Sequence, residues 1–250
     1  TADYMLANEV VADIYGIDVD PDVAGWRPAH WPDGRPHAGI LSSSQLYRRH
    51  VSAGSNFHRL RANMLAETLL CESFATRDLA VDGGVDLTDE AEVAAAVREN
   101  PNCIGCHQAL DPLAANLWGF KRQIDPRAVE EGTAANDCAI DPDRPQPPID
   151  EGDLPTDYCY PLVMYTPAKE DRWVELGLRA PGYYGKPVDD LTDLGAEMAA
   201  DPRFAQCAVR RFYGWFSQQA PGDLPLGLVQ PLQDAFVASN YNARVLAKEI

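Results

Sequence analysis

Apolar and polar residues alternate along the chain with a helical period in several segments. Leu6 to Tyr15 (LANEVVADIY) has apolar residues at helical spacing and stops at Gly16. Asn56 to Cys71 (NFHRLRANMLAETLLC) is a stronger helix of the same kind. A further helix is expected after Thr88, which we interpret as its N-cap with Glu92 close by. The pattern predicts a mainly α-helical fold.

Two more helices are predicted near the C-terminus. Asp201 and Pro202 form a good helix start, because aspartate caps a helix and proline fits its first position. The last helix is expected from Tyr241 to Ile250, and a short helical turn at Gln45 to Arg49. Strand-like runs are few, the best being Tyr160 to Tyr165, so a parallel α/β architecture is not expected.

Residues 124–170 form an excursion rich in proline and aspartate. A loop of this length is costly unless it is pinned, and a disulfide between Cys138 and Cys159 would pin it. We therefore predict three segments. A helical domain covers residues 1–123, a loop-rich excursion covers 124–185, and a C-terminal helical segment, 186–250, packs on the first domain.

Composition and charge restrict the possible partners. The chain has 250 residues, of which 46% are hydrophobic, and a formal net charge of -17. Such a surface repels phosphate backbones, so nucleic acid is not an expected partner, whereas a basic protein is a possible one. No stretch approaches the ~20 apolar residues of a membrane span. The chain opens on Thr-Ala-Asp-Tyr, which predicts a mature or clipped product, or a fragment of a longer protein.

The most informative stretch is NPNCIGCHQALDP, which places Cys103, Cys106 and His107 within five residues. A structural zinc site usually needs two such cysteine pairs, and a redox dithiol should follow an apolar strand rather than VRENPN. A C-x-x-C pair followed directly by histidine is the signature of c-type haem attachment. The sequence therefore predicts one covalent haem c in the domain of residues 1–123, with another Cys/His metal site as the alternative.

The spacing has a physical reason. Two thiols on one helical turn can add across the two vinyl groups at one edge of the porphyrin, and the next imidazole then reaches the iron as the proximal ligand. Asn102 is expected to cap the helix that carries all three. Apolar residues that could wall the ring follow in QALDPLAANLWGF, namely Leu110, Pro112, Leu113, Leu117, Trp118 and Phe120.

The sixth iron ligand is open at this stage, because haem electron carriers use methionine or histidine there. His58 is the first candidate, since it begins a helix and lies on its apolar side. Met164, in the apolar stretch PLVMYTP, and Met64 are the alternatives. A five-coordinate iron is the remaining case, and it would permit ligand binding or peroxide chemistry.

The other four cysteines indicate the compartment. They are an even number, which suggests two disulfides and an oxidising compartment, periplasmic or extracellular. Cys71 and Cys207 lie on helices, and a bond between them would fasten the helix before the haem motif to a C-terminal helix. Four buried free thiols are the alternative.

Several motifs occur together in one order. They are HAGILSSSQLYRRH, RANMLAETLLC, CIGCHQALDPLAANLWGF and DLGAEMAADPRFAQCAVRRFYGWF. This order resembles the C-terminal half of the large secreted haem proteins called planctomycete-type cytochromes, in which two adjacent domains of unknown function close the chain. The resemblance implies haem attachment at Cys103 and Cys106, His107 as proximal ligand, and export. The chain departs from the family at Asn56-Phe57-His58, where many members read Thr-Ser-Pro.

These observations favour an irregular helical, c-type cytochrome-like protein. We interpret it as an electron-transfer protein rather than an enzyme, acting as a secreted single-haem carrier or as the haem module of a larger redox assembly. Its partner would be a redox protein or other haem subunits of a larger assembly. Two alternatives stay open. One is a haem-dependent oxidoreductase with an open iron site, and the other is a component of an extracellular assembly in which the haem is a structural staple.

Overall fold

The structure is a computed structural model that describes residues 2–43, 46–47, 50, 52, 56–76, 84–120 and 165–250. Within these ranges the fold is mainly α-helical with a few short strands, as the sequence predicts. The helices are α1 (Glu9–Tyr15), α2 (Arg59–Leu65), α3 (Glu90–Glu99), α4 (Pro101–Ala115), α5 (Arg172–Glu175), α6 (Leu191–Ala200), α7 (Pro202–Ser217), α8 (Leu226–Ala238) and α9 (Ala243–Glu249).

Two antiparallel strand pairs accompany these helices. Strand β1 (Met5–Ala7) pairs with β2 (Arg27–Ala29), and β3 (Gly182–Tyr183) pairs with β4 (Lys186–Pro187). The prediction of a helix from Leu6 was therefore wrong at its first residues, because Leu6 and Ala7 pair with residues of β2. Asn8 then caps α1 by accepting a hydrogen bond from the Val11 amide, and the helix ends at Gly16 in the left-handed conformation, as predicted.

The predicted helix over residues 56–71 begins later than expected. Phe57 and His58 have positive φ angles of 51° and 65°, so α2 starts only at Arg59. The helix continues without a break as a π-helical segment, Ala66–Leu70, and ends at Cys71. Its start is set by contacts outside the helix rather than by periodicity, because the His58 amide donates to the Ser52 hydroxyl at 2.8 Å.

Helix capping corrects two predicted boundaries. Asp89, and not Thr88, caps α3 by accepting from the amides of Ala91 and Glu92. The last helix starts at Ala243 rather than Tyr241, because the Asn242 side chain caps it. The predicted start of α7 at Asp201 and Pro202 is confirmed.

The caps of α7 and α8 differ in chemistry. Asp201 caps α7 and proline occupies its first position. Helix α8 has no side-chain cap hydrogen bond and contains Pro231, which explains why the sequence did not predict it.

One main hydrophobic core joins distant parts of the chain. It contains Leu65 of α2, Leu113 of α4, Tyr165, Tyr183 and Leu194 of α6. Parts of all three predicted segments thus share one core. Residues 121–164, which hold Cys138, Cys159, Met164 and most of the predicted strand run, lie outside the described residues, as do most of residues 45–49.

A second core and a disulfide fasten the C-terminal helices. Val209 of α7, Val229 of α8 and Leu246 of α9 pack together. The predicted Cys71–Cys207 disulfide is present, with the two Cα atoms 5.3 Å apart, and it links the end of the π-helical segment to α7.

The described helices were compared with the requirements of a membrane-spanning helix. In the described ranges, no helix combines the length and the apolar character that crossing a bilayer requires.

Candidate functional site

The C-x-x-C-H motif lies in the first half of α4. Asn100 caps this helix by accepting from the Asn102 amide at 3.0 Å, and Pro101 occupies the first turn. The predicted cap at Asn102 is therefore corrected by two residues, because Asn102 is already helical. The motif starts directly after Asn102, so Cys103, Cys106 and His107 lie on consecutive turns of one continuous helix.

Neither cysteine of the motif is disulfide-bonded, and the two have different surroundings. Cys103 is half-buried, whereas Cys106 is 4% exposed and belongs to the main core. The Cys106 sulfur lies 3.9 Å from the carbonyl oxygen of Phe74. Residues separated by three and four positions lie on one face of a helix, so Cys103, Cys106 and His107 face the same side of α4.

The imidazole of His107 is held by a carboxylate one turn later. Its Nδ1 lies 2.8 Å from Asp111 Oδ1, and the His107 side chain is 22% exposed. An ionised carboxylate only accepts hydrogen bonds, so the ring proton is on Nδ1 and the lone pair of the neutral ring is on Nε2. This is the tautomer that a histidine needs to bind a metal through Nε2.

Asp111 is itself clamped by an arginine from another helix. Arg59, the first residue of α2, donates from Nε to Oδ1 at 2.7 Å and from Nη2 to Oδ2 at 3.1 Å. Burial alone would raise the pKa of Asp111, but hydrogen bonds from His107 and Arg59 outweigh it and hold that pKa below its usual value. The carboxylate is thus an anion shared by two donors.

The predicted wall residues are buried around this helix, except Pro112, which is half-buried. Leu113 is 1% exposed and belongs to the main core, and Trp118 is 2% exposed. Pro112 lies within α4, and its Cβ lies close to Gly182 of β3. These contacts pack α4 against the rest of the protein. Whether the same residues wall a haem stays a prediction.

Of the predicted distal ligands, two lie in described residues. Met64 is 6% exposed and packs in the main core. His58 is fully buried, with its ring 4.8 Å from that of Trp118 in an edge-to-face contact. Arg61 Nη1 lies 3.2 Å from His58 Nδ1. A guanidinium only donates, so in this arrangement Nδ1 accepts and the proton of the neutral ring is on Nε2.

A cavity of about 360 Å³ lies next to the His107–Asp111 pair. Asp111 and Arg59 line it, together with Val97 and Arg98 of α3 and Leu178. It lies within the size range of small-molecule pockets, and its wall is apolar with a few charged groups.

Two residues at this site were not predicted from the sequence as site residues, namely Asp111 and Arg59. Asp111 could have been found, because it is four residues after His107 on a predicted helix and this spacing brings side chains together. Arg59 could not, since it is 52 residues away from Asp111 along the chain.

Comparison with known proteins gave no match to a family model, a curated protein or a solved structure.

Proposed function

We propose that this protein binds one haem c covalently and transfers electrons. The observation that supports it most is the arrangement on α4, where His107 is held by Asp111 through Nδ1 and its Nε2 lone pair is left for a metal. Cys103 and Cys106 are on the same helix face and are not disulfide-bonded, while Cys71 and Cys207 are bonded to each other. The donor set of two thiols and one oriented imidazole therefore fits a haem c.

Each residue has a distinct task in this proposal. Cys103 and Cys106 would hold the group through thioether bonds, and His107 would bind its iron as proximal ligand. When bound, haem c supplies a one-electron couple between ferric and ferrous iron. The protein supplies orientation, burial and hydrogen bonding, which set the potential.

The site is accessible to a partner protein. Cys103 and His107 are partly exposed, so this end of α4 is open to a redox protein or to other haem subunits. This accessibility favours electron transfer over a haem enclosed as a structural staple. The Cys71–Cys207 disulfide suits an oxidising compartment, so we propose that the protein works in the periplasm or outside the cell.

A haem stain on a denaturing gel, with absorption spectra of the oxidised and dithionite-reduced protein, tests the proposal. A stained band is expected, together with a sharp low-spin reduced spectrum. Cys106→Ala should weaken covalent attachment, and Cys71→Ala, which removes a cysteine outside the motif, should keep the stain. An unstained wild-type band would end the haem proposal and leave a metal or redox site to be identified by elemental analysis.

For the sixth ligand we propose His58. Binding iron through Nε2 would require exchange of the present Arg61 contact, since Nδ1 must then carry the proton. His58→Ala should convert the low-spin spectrum to a high-spin one, while Met64→Leu should not. A low-spin spectrum in His58→Ala would transfer the role to Met64 or Met164.

One observation favours a second candidate, a haem-dependent oxidoreductase with an open iron position. A carboxylate bonded to a ligating histidine makes the imidazole a stronger donor, which suits oxidised iron. A high-spin ferric spectrum that changes on adding cyanide would favour this candidate, and a low-spin spectrum that does not change would favour electron transfer.

A further inference from the structure

We propose that Asp111, clamped by Arg59, is a positioning residue that orients His107 and lowers the midpoint potential of the iron. The inference rests on the proposed haem function and assigns roles to two residues that the C-x-x-C-H motif does not include. It predicts that the oxidised, ferric form is favoured relative to a protein with a neutral partner at Nδ1.

The hydrogen bond between His107 and Asp111 has a defined direction. His107 Nδ1 and Asp111 Oδ1 are 2.8 Å apart, which is typical of a charge-assisted bond. The imidazole donates to the carboxylate, so electron density on the ring rises and Nε2 becomes a stronger donor to a metal. Stronger donation stabilises ferric iron more than ferrous iron, which lowers the potential.

The carboxylate of Asp111 is held rigidly by Arg59. Arg59 binds both of its oxygens, at 2.7 Å and 3.1 Å, in a fork that fits a carboxylate. The Asp111 side chain is 7% exposed and that of Arg59 is 17% exposed. Asp111 therefore cannot rotate away from His107 without breaking two contacts that water replaces poorly.

Asp111 and Arg59 act on the midpoint potential in opposite directions. Arg59 shares Oδ1 with His107 and withdraws negative charge from it, so the arginine moderates the effect of the carboxylate. Loss of Asp111 charge and loss of Arg59 should consequently shift the potential in opposite directions. A purely structural ion pair between α2 and α4 would instead produce the same loss of stability in both variants and no opposed shifts.

The variants are Asp111→Asn, which keeps the shape but removes the charge, and Arg59→Gln, which keeps the carboxylate. Arg98→Gln is the matched control. It also removes one positive charge from the same cavity wall, but the Arg98 guanidinium donates to the Gly177 carbonyl and not to Asp111. All three are prepared as full-length holoprotein, with the haem stain measured first.

Three readouts are taken on each stained variant: the midpoint potential by spectroelectrochemistry, the nitrogen NMR shift of the labelled His107 ring, and thermal stability. Asp111→Asn should raise the potential and move the Nδ1 resonance. Arg59→Gln should lower the potential by more than Arg98→Gln does. If Asp111→Asn does not fold, the Arg59→Gln comparison still tests the inference.

The failures are distinguishable. An unstained wild-type protein would refute the proposed function. A stained Asp111→Asn with the wild-type potential and ring resonance would refute this inference alone, as would an Arg59→Gln shift no larger than that of Arg98→Gln.

Discussion

Cys71 and Cys207 are bonded across 136 residues of chain, so the end of the π-helical segment is fixed to α7. The two helical segments also pack on each other directly, and Arg211 Nη2 donates to the Glu67 carbonyl at 2.6 Å beside the bond. The disulfide therefore closes a very long loop that contains α4, the helix of the C-x-x-C-H motif.

Removing this disulfide should destabilise the protein. Because the loop is long, Cys71→Ala should lower the free energy of unfolding by about 4 kcal/mol. Cys207→Ala and the double variant should lower it by the same amount, since each change removes the same bond. Denaturant unfolding without reductant measures all three. Additive losses in the double variant would contradict a shared bond.

Gly119, just after α4, should not tolerate a side chain. An added Cβ would overlap the Cζ atom of the buried Tyr165 ring. Gly119→Ala should cost about 3 kcal/mol, because the ring packs against Phe120 and has little room to move. Gly227→Ala in α8, where a Cβ meets nothing within 4 Å, is the control and should stabilise by about 0.5 kcal/mol. Thermal unfolding measures the stability of both variants, and a Gly119→Ala protein as stable as the wild type would contradict the prediction.

Local chemistry explains which elements were predictable. The start of α7 was found because Asp201 and Pro202 are a capping pair that acts within one turn. The start of α2 was missed because His58 is held by Ser52 and by Trp118, which are not its helical neighbours. Strand β1 was missed for a similar reason, since Leu6 pairs with Pro28.

The same distinction applies to the candidate site. Cys103, Cys106 and His107 are recognisable from spacing alone, and Asp111 lies one turn later on the same helix. Arg59 joins them only through the packing of α2 on α4. The clamp on Asp111 therefore depends on the fold and not on any local pattern.

Asp201 should make stability depend on acidity below about pH 4. Burial alone would raise its pKa, but hydrogen bonds from Arg203 and Tyr183 lower it from 3.8 to about 2. A depressed folded pKa contributes stability above the unfolded value, and that contribution is lost as pH falls from about 4 to about 2.

Asp201→Asn should flatten this loss, because asparagine caps α7 about as well but cannot ionise. Asp190→Asn at the start of α6 is the matched control, since Asp190 caps its helix through the same kind of amide contacts. Thermal midpoints between pH 2 and pH 5 give the comparison. Equal slopes for wild type and Asp201→Asn would show that the Arg203 pair does not act in this window.

The ion pair between Arg35 and Asp33 is buried, so the stability of the protein should be sensitive to its loss. The Arg35 side chain is 1% exposed and that of Asp33 is 4% exposed. Arg35 also donates from Nη1 to the Ser42 carbonyl at 2.7 Å, and its guanidinium lies 4.1 Å from the centroid of the Trp31 ring.

Arg35→Met should cost about 3 to 5 kcal/mol, because it leaves the Asp33 charge buried without its cation. Asp33→Asn should cost less, since asparagine can still accept the hydrogen bond from the Tyr165 amide. The double variant Arg35→Met/Asp33→Asn should recover about 2 kcal/mol relative to the sum of the singles, which is typical of contacting charged pairs. Denaturant unfolding of the full cycle measures this coupling, and simple additivity would mean that Arg35 acts by packing on Trp31 rather than by neutralising Asp33.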